Sequence, residues 1–321
     1  MKTLFVVNPH SAGGSTGRRW PTLKDALQSR LEPFETRFTQ RVGHATEMVQ
    51  EALVKGTDRI IAVGGDGTTN EVVNGFFDES GPLREEAVLG FVPRGTGGDL
   101  RRTLGIGPEV GEVLEVMTRG RVVLADVGRT RFVDHLGRKT RRLFLNVTSF
   151  GMGGLVDAKV NASSKALGGK VSFILGTLRA LAEYHNKRVH LRGFGPAGNT
   201  VMDESLVINN VAVANGQYFG GGMWIAPDAR IDDGLLDMVV FGDITRVDVL
   251  LQSPRIYLGN HIDYHAVRTL RVCRLEASSA DEVLIDMDGE QPGRLPFQVD
   301  LLPRAIRLLV PAERQEAITQ K

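Results

Sequence analysis

The sequence predicts an α/β fold, with an N-terminal lobe built on a doubly wound parallel sheet and a C-terminal β-rich sandwich lobe. Up to about residue 125, short apolar runs alternate with segments of helical periodicity, which is typical of a parallel sheet covered by helices. Beyond that point, short strands separated by turns predominate, which indicates an antiparallel sandwich or barrel. We therefore expect two domains, 1–125 and 126–302, with a cleft between them. The tail, about 303–321, is a candidate to pack back on the first domain.

Composition is that of a globular protein and argues against several classes. The 321 residues are 42% hydrophobic and 24% charged, and the net charge of +1 predicts no nucleic-acid partner. One cysteine excludes a disulfide within the chain, which fits a reducing cytosol. No run approaches the roughly 18–20 apolar residues of a membrane span, and the apolar run near the N-terminus is too short for a signal peptide. The expected location is therefore cytoplasmic.

In the first lobe, four apolar runs are predicted to be strands, and a helix candidate follows each of them. The strand candidates are TLFVVNP, FETRFTQ, DRIIAVGG and AVLGFVPRG. The helix candidates are RRWPTLKDALQSRL, HATEMVQEALVKG, TTNEVVNGFF and DLRRTLGI. Because the most apolar runs have no polar face, they fit strands that are buried on both sides.

The second lobe reads as a series of short strands. The candidates are RVHLRGF, LVINNVAVANG, LLDMVVFG, TLRVCRLEA, EVLIDMDGE and FQVDLLP, and one amphipathic helix, GKVSFILGTLRALAEYHNK, precedes them. The segment RTRFVDHLGRKTRRLF carries six basic residues around a predicted hairpin turn. Such a run is usually a solvated face; the alternative is contact with anionic lipid headgroups, worth about 1 kcal/mol per charge.

Two glycine-rich turns follow neighbouring predicted strands. In the first, GGDGTTNE, three glycines surround Asp66, and the spacing of Thr68 and Glu71 predicts a capping box with the helix starting at Thr68. Bare backbone at a helix N-terminus is suited to binding phosphate. Asp66 would then hold Mg²⁺ or contact a group that loses a proton, or it simply caps its own tight turn.

The second turn, PRGTGGDLRR, repeats this design one strand later, so the two loops would hold one nucleotide from two sides. Neither loop is a Walker A sequence or a G-x-G-x-x-G fingerprint.

Two further motifs lie in the second lobe. APDARIDDGLLDM places four aspartates around a glycine turn, which suits a hard cation or, equally, a solvated hairpin. LIDMDGEQP ends an alternating strand in Asp288, Gly289 and Glu290, which on spacing alone is a surface hairpin.

Together, GGDGTTNEVVNG and PRGTGGDLRR resemble the diacylglycerol kinase catalytic domain family, which includes bacterial lipid kinases and eukaryotic diacylglycerol, ceramide and sphingosine kinases. Further similar motifs occur in the family's order along nearly the whole chain: VVNPHSAGG, FLNVTSFGMGGLV, FGGGMWIAPDARIDDGLLDMVVF and IDMDGE. The resemblance implies a fold related to those of NAD kinase and phosphofructokinase. The second loop usually reads Gly-Thr-x-Asn-Asp, and here Gly98 stands at the Asn position, so one side-chain amide is missing.

The resemblance implies an ATP-dependent lipid kinase that phosphorylates a lipid hydroxyl, with diacylglycerol as the first choice of acceptor. Ceramide, sphingosine and phosphatidylglycerol are the alternatives, followed by NAD kinase activity and by a nucleotide-binding regulator without turnover. The expected partner is a lipid at the membrane surface, where the protein would associate peripherally, and a homodimer is left open.

The resemblance also implies site residues. Glu290 would be the general base, and Asp66 would act with it through Mg²⁺ or an ordered water. Thr39 would lie near the base or ribose of ATP. The full set implied for ATP is Asn8, Thr39, Gly64, Gly65, Asp66, Gly67, Thr68, Asn70, Gly95, Thr96 and Gly97. A structural Mg²⁺, distinct from the one carried by ATP, would be held by the Arg230 carbonyl, the Asp233 carboxylate and the Leu235 carbonyl.

Overall fold

The computed structural model describes residues 1–95, 97–162, 176, 177 and 179–312. The chain divides into two compact units, Met1–Ala125 with the strand segment that begins at Arg304, and Asp126–Pro303. The predicted site residue Thr96, residues 169–175 and 178 of the predicted amphipathic helix and the tail beyond residue 312 lie outside the described residues. In the described part of that predicted helix, residues 176, 177 and 179–183 are helical.

The N-terminal unit is built on a parallel sheet. Its strands lie in the order β4–β3–β1–β2, and all pair in parallel. The last part of β17 joins the edge of this sheet, with Arg307 opposite Val88 of β4. The strands are β1 (Thr3–Val7), β2 (Glu35–Phe38), β3 (Arg59–Gly64), β4 (Val88–Pro93) and β17 (Glu290–Val310). Because β1 and β3 are buried almost throughout, they carry the continuous apolar runs expected of central parallel strands.

Helices connect these strands. Trp20, Leu23 and Leu27 of α1 pack against Phe5 of β1 in one apolar cluster. The helices are α1 (Ser15–Gln28), α2 (His44–Val54), α3 (Asp66–Gly75), α4 (Asp99–Leu104) and α5 (Val110–Arg119), and a 3-10 turn, Ser11–Gly14, precedes α1. α5 was not among the predicted helices, although its buried Val113, Val116 and Met117 have helical spacing and a capping box starts it.

The C-terminal unit is antiparallel, and the predicted fold class is therefore confirmed for both lobes. Its largest apolar cluster unites residues from most of the long strands. The further strands are β5 (Arg121–Asp134), β6 (Lys139–Phe144), β7 (Val147–Gly151), β8 (Lys187–Phe194), β9 (Thr200–Ile208), β10 (Asn210–Ala214), β11 (Tyr218–Phe219), β12 (Met223–Trp224), β13 (Leu236–Phe241), β14 (Val267–Val272), β15 (Arg274–Ser278) and β16 (Leu284–Met287). The helices are α6 (Met152–Ala162) and α7 (Arg246–Leu258), with a 3-10 turn at Asn260–Asp263.

Two predicted strands are each split in two. LVINNVAVANG breaks at Asn209, where the chain leaves its pairing with β8 and begins to pair with β7 and β13. TLRVCRLEA breaks at Cys273, where pairing passes from β13 to β8 and β17. The predicted strand FQVDLLP is part of the much longer β17. A change of pairing partner leaves no mark in local periodicity, so the breaks were not predictable.

The helix α7 was also not predicted. It contains Pro254 and carries apolar residues on two faces, so no single apolar stripe marks it as a surface helix. Among the described helices, none has the length and hydropathy needed to cross a bilayer.

Candidate functional site

The strand order places a topological switch point between β1 and β3, because the chain moves from β1 to one side for β2 and to the other for β3. Open α/β sheets bind ligands at this position, outside the carboxyl ends of the strands. Here Asn8, which follows β1, donates from its backbone N–H to Val63 O and from its side-chain Nδ2 to Thr68 Oγ1, both at 2.9 Å. Thr39, at the end of β2, is buried and donates its N–H to Val7 O at 2.9 Å.

The two glycine loops touch each other. A Cβ atom on Gly95 would lie 2.6 Å from the Cα of Gly65, and one on Gly97 would lie 2.8 Å from Oδ2 of Asp66. The backbone N–H of Arg94 donates to the carbonyl of Gly64 at 2.7 Å. Any side chain at these contacts would separate the loops, which explains why both are rich in glycine.

The helix α3 begins at Asp66, so the predicted start at Thr68 with a capping box is wrong. Thr68 lies in the first turn, and its hydroxyl is already engaged by the loop after β1. The carboxylate of Glu71 accepts hydrogen bonds from the N–H groups of Gly43 at 2.8 Å and Ala45 at 3.2 Å. Glu71 therefore caps the start of α2, a contact that the spacing within α3 does not reveal.

Asp66 ties the first glycine loop to the second. Its Oδ2 accepts a hydrogen bond from Gly98 N at 2.9 Å, and the N–H groups of Asp99 and Leu100 also bond to its carboxylate. These donors form the N-terminal end of α4, where a helix favours negative charge. Burial raises the pKa of Asp66, and the three backbone hydrogen bonds and Arg102 oppose that rise. The aspartate thus caps the neighbouring helix and not its own turn.

Arginines concentrate positive charge around these loops. Nη1 of Arg102 donates to the Gly97 carbonyl at 2.6 Å and to Asp99 Oδ1 at 2.9 Å, which closes the second loop. Burial lowers the pKa of Arg94, and burial together with the nearby Arg102 lowers the pKa of Arg101. Burial is the main cause of both shifts, and Nε of Arg94 has no hydrogen-bond partner among the described residues. Partly buried cations beside a helix N-terminus are suited to binding an anion.

The backbone conformation at position 98 accounts for a glycine where the family pattern has asparagine. The φ of +64° at Gly98 lies in the left-handed region, which asparagine adopts more readily than most side chains.

We expect Gly98→Asn to cost about 1 kcal/mol or less and Gly98→Val about 2 kcal/mol or more in the free energy of unfolding, measured by urea titration. A new Cβ would also press on Arg101 Nε at 2.7 Å, a flexible side chain. The same substitutions at Gly137, with φ +76° and open space, control for the backbone term, and equal costs for Asn and Val at Gly98 would contradict this explanation.

Asn70 and Thr96 complete the set predicted for ATP. Asn70 is buried one turn into α3, and its side-chain Oδ1 accepts a hydrogen bond from Asn74 Nδ2 at 3.2 Å. Thr96 lies outside the described residues. The other members lie at the carboxyl ends of the parallel strands or in the first turn of α3.

Glu290 begins β17 after a tight hairpin turn. Asp288 and Gly289 have φ values of +49° and +83°, as in the two-residue turns that favour Asp-Gly. Asp288 is held by the backbone of Val147, to which its N–H donates at 3.0 Å and from which its Oδ1 accepts at 3.1 Å. Nη2 of Arg142 donates to Oε2 of Glu290 at 2.6 Å. Within the described part of the chain, Oε1 of Glu290 is left without a hydrogen bond.

Sequence reasoning missed a buried pair of carboxyl groups behind this hairpin. Asp286 of β16 accepts hydrogen bonds from Gly289 N at 3.0 Å and Ser149 Oγ at 3.2 Å, and it shares a hydrogen bond with Asp157 of α6. Burial raises the pKa of both acids. The pKa of Asp286 rises well above its ordinary value, because the charge of Asp157 adds to the effect of burial. The pair therefore binds a proton more tightly in the folded protein than two separate acids would. Asp157 belongs to no motif, so only the fold brings the two together.

The shared proton makes stability pH-dependent. An acid with a raised pKa binds more protons folded than unfolded, so its contribution to stability falls as pH rises above the unfolded value near 4. We expect Asp286→Asn, which retains a donor toward Asp157, to gain about 1.4 kcal/mol per pH unit relative to wild type above about pH 4, until the folded pKa is reached. Urea titrations across pH 5–8 would measure this difference. Its slope with pH corresponds to about one proton more bound by the folded wild-type protein than by the unfolded one. Asp281→Asn, at an exposed position of the same unit, is the control, and parallel curves for wild type and Asp286→Asn would contradict the shared proton.

The predicted metal turn contains more negative than positive charge. Asp233 accepts from Leu235 N through Oδ1 at 3.1 Å and forms an ion pair with Arg271 through Oδ2. The buried Oδ2 of Asp237 has no hydrogen-bond partner among the described residues. Burial raises the pKa of Asp237 to about 6; Arg271 opposes this rise, and the charges of Asp233 and Asp228 add to it.

A hard cation would satisfy these carboxylate oxygens, although at Asp233 it would compete with Arg271. The described residues contain no group of three or more acidic, His or Cys side chains placed to hold a metal. The predicted set, one carboxylate with two carbonyls, stays a prediction.

Two family models match the chain. Residues 2–130 match the diacylglycerol kinase catalytic domain, and residues 146–310 match the YegS C-terminal NAD kinase beta sandwich-like domain. The chain joins a diacylglycerol kinase catalytic domain to this second domain, whose model covers just over half of the chain, and it belongs to that family. The resemblance inferred from the glycine loops is thereby confirmed, and so is the prediction of an enzyme of the lipid kinase class.

Relatives match this chain along nearly their whole length. A protein of Bacillus subtilis named diacylglycerol kinase is 28% identical and aligns over 99% of both chains. A Pectobacterium atrosepticum protein named probable lipid kinase YegS-like is 28% identical over 97% of this chain and 96% of its own. The crystal structure of a diacylglycerol kinase from Bacillus anthracis superposes with a TM-score of 0.72 at 25% identity, covering 96% of each chain. The roles of individual residues in this family member stay predictions.

Proposed function

We propose that this protein is an ATP- and Mg²⁺-dependent lipid kinase that transfers the γ-phosphoryl group to a lipid hydroxyl, with diacylglycerol as the first choice of acceptor. The observation that carries the proposal is the contact of two glycine loops at the switch point of the parallel sheet, held together by Asp66. The names of the relatives support a lipid acceptor, and the Bacillus subtilis relative's name supports diacylglycerol.

The glycine loops would bind the phosphates of ATP. The N–H groups at the start of α3, which begins at Asp66, would donate to an anion. Arg94 and Arg101 would supply positive charge beside the loops, and Nε of Arg94 has no hydrogen-bond partner among the described residues. Bound Mg²⁺ would neutralise charge that develops on the transferred phosphoryl group, and Asp66 is the carboxylate in these loops that we assign to it.

Glu290 would activate the acceptor. As the lipid oxygen forms its bond to the γ-phosphorus, the bond to the ADP oxygen breaks, and the hydroxyl proton passes to Oε1 of Glu290. Arg142 holds Oε2, so Oε1 is the oxygen that we assign to the acceptor. A fixed carboxylate suits this role, since a primary alcohol is a poor nucleophile without a base.

Two rival functions remain to be separated. NAD kinase activity would use the same glycine loops, but the Asp-Gly-Glu hairpin and the family match favour a lipid acceptor. A regulator without turnover would need neither Asp66 nor Glu290, and both carboxylates are present.

An assay with [γ-³²P]ATP and Mg²⁺ would decide between them. Diacylglycerol, ceramide, sphingosine and phosphatidylglycerol, each in detergent micelles, and NAD would be offered in parallel. We expect label in the diacylglycerol product. Label only in the NAD product would show a NAD kinase, and nucleotide binding without transfer to any acceptor would indicate a regulator.

For the acidic turn, we propose a structural Mg²⁺ held by the Arg230 carbonyl, Asp233 and the Leu235 carbonyl. Metal that binds only the folded state stabilises it by about 2.7 kcal/mol at 100 times its Kd. We therefore expect EDTA to lower the melting temperature of wild type by several degrees (about 2–4 °C per kcal/mol). Asp233→Ala should start from the lower value and not respond to EDTA. Asp232→Ala, in the same turn, is the control. An unchanged wild-type melting temperature, with no Mg²⁺ by elemental analysis, would exclude the site.

A further inference from the structure

The outward side of α7 is apolar and uncovered. On its inward side, Val249 and Ile256 pack against a core cluster of the C-terminal unit. No residue of α7, all of which the structure describes, is buried. Among the residues that the structure describes, twelve large hydrophobic side chains are exposed, and five of them lie in this single helix. Their concentration in one place sets this helix apart from ordinary scattered exposure.

These residues form one continuous stripe. They recur at the spacing i, i+3, i+4, i+7, i+10 and i+11, which places them on one face of a helix. The face lies opposite the one that packs against the core. The outer stripe consists of Val247, Leu250, Leu251, Pro254, Tyr257 and Leu258. Exposure reaches 67% at both Leu251 and Leu258.

Two arginines border the outer stripe, one on each side by helical geometry. Nη2 of Arg246 donates to the Tyr184 carbonyl, and Nη1 of Arg255 donates to Gln252 Oε1, both at 3.2 Å. Among the described residues, no carboxylate forms an ion pair with either guanidinium. Their positive charge is therefore available to a partner.

The acid of this helix does not offset that charge. Asp248 accepts hydrogen bonds from the N–H and the hydroxyl of Thr245 at 2.9 and 2.7 Å, closing the capping box, and Tyr264 also bonds to it. Its charge faces the helix N-terminus, where it is favourable. The stripe thus presents apolar surface flanked by uncompensated cations.

We propose that α7 docks the enzyme on an anionic lipid bilayer, with the outer stripe at the boundary of headgroups and acyl chains and with Arg246 and Arg255 on lipid phosphates. An apolar helix face bordered by basic residues is the pattern of helices that lie in this boundary. Long arginine side chains reach the headgroups while their stems cover apolar surface, and Tyr257 suits the same zone. The inference rests on the proposed function, because a lipid acceptor must be taken from a membrane.

Charge favours a bilayer over a second copy of the chain. Pairing two outer stripes about a two-fold axis would bring four arginines to one small interface with no free carboxylate in the stripe. The basic hairpin of β5 and β6 is a weaker candidate for lipid contact, because its cations are largely neutralised. Arg131, Arg138 and Arg142 form ion pairs within the unit, with Asp300, Asp134 and Glu290.

The test is flotation of the full-length protein with vesicles. One set contains phosphatidylglycerol in phosphatidylcholine, and the other contains phosphatidylcholine alone. We expect wild type to float with the anionic set, and Leu250→Gln/Leu251→Gln to lose on the order of tenfold or more in binding. The control is Val42→Gln/Leu136→Gln, which changes two side chains with 86% and 74% exposure elsewhere and should bind as wild type does. Arg246→Gln/Arg255→Gln should lose the preference for the anionic set. If the leucine variant does not fold, this arginine variant provides the test.

Three outcomes would overturn the docking role: wild type fails to float, the leucine variant floats as wild type does, or the leucine variant converts a dimer to a monomer in ultracentrifugation without losing vesicle binding. Kinase assays separate this inference from the proposed function. The leucine variant should phosphorylate diacylglycerol in detergent micelles normally and lose activity only on vesicles. Flotation that depends on α7 without phosphorylation of any lipid would defeat the proposed function and leave the docking role standing.

Discussion

Replacing Glu290 by glutamine is expected to lower kcat for lipid phosphorylation by roughly 10²–10⁴-fold while changing the KM for ATP little. Glutamine keeps the size of the side chain and an oxygen to accept from Arg142, but it does not take a proton. The nucleotide loops belong to the N-terminal unit, so ATP binding should be preserved. Initial rates with diacylglycerol in micelles, at varied ATP, would measure both parameters.

Two comparisons sharpen this experiment. Glu276→Gln makes the same chemical change in an ion pair with Arg274 in the same unit and should leave kcat unaltered. Arg142→Gln removes the donor that orients Glu290, so it should lower kcat by less than Glu290→Gln does. Slow hydrolysis of ATP by water should survive in Glu290→Gln, since water does not need a base at the acceptor position. If Glu290→Gln transfers phosphate to diacylglycerol at a near wild-type rate, Glu290 is not the general base and is only a surface residue of the hairpin.

Replacing Asp66 by asparagine is expected to reduce kcat by on the order of 10²-fold or more. The structure adds a second effect, which the sequence did not indicate. An amide group would place N–H donors against the N–H groups of Gly98, Asp99 and Leu100, so we expect a loss of about 1–3 kcal/mol in the free energy of unfolding. Kinase rates and urea titrations on the same preparation would measure both effects.

Stability and catalysis at Asp66 are separated by a matched variant. Ile60→Val removes one buried methylene group from β3 in the same unit, at a cost of about 0.5–1.5 kcal/mol, without touching the loops. It should keep near-normal turnover at temperatures where it stays folded. If Asp66 acts through Mg²⁺, Asp66→Asn should weaken binding of MgATP more than binding of ATP in EDTA. If the loss of activity in both variants equals the fraction of protein that is unfolded, Asp66 acts only as a cap of α4 and has no direct part in catalysis.

Much of the fold followed from local pattern. The continuous apolar runs at β1, β3 and β4 predicted buried parallel strands, because no other common element buries a short run on all sides. The glycine loops were recognisable for a related reason, since a turn at a strand end has little use for three glycines unless something must come close. Both signals are carried by neighbours in the chain, which a sequence displays directly.

The family and its candidate site residues were likewise determined by the sequence alone, through motifs whose order and spacing are local. The tertiary structure decided what those residues do for one another. Asp66 meets the start of α4, Glu71 caps α2, and Asp157 shares a proton with Asp286, all between segments that are distant in sequence. Hydrogen bonds and charge pairs of this kind depend on which elements pack together, and a side chain's identity does not specify its partner. The exposed stripe of α7 is similar in origin, because only the packed unit shows which of two apolar faces is left uncovered.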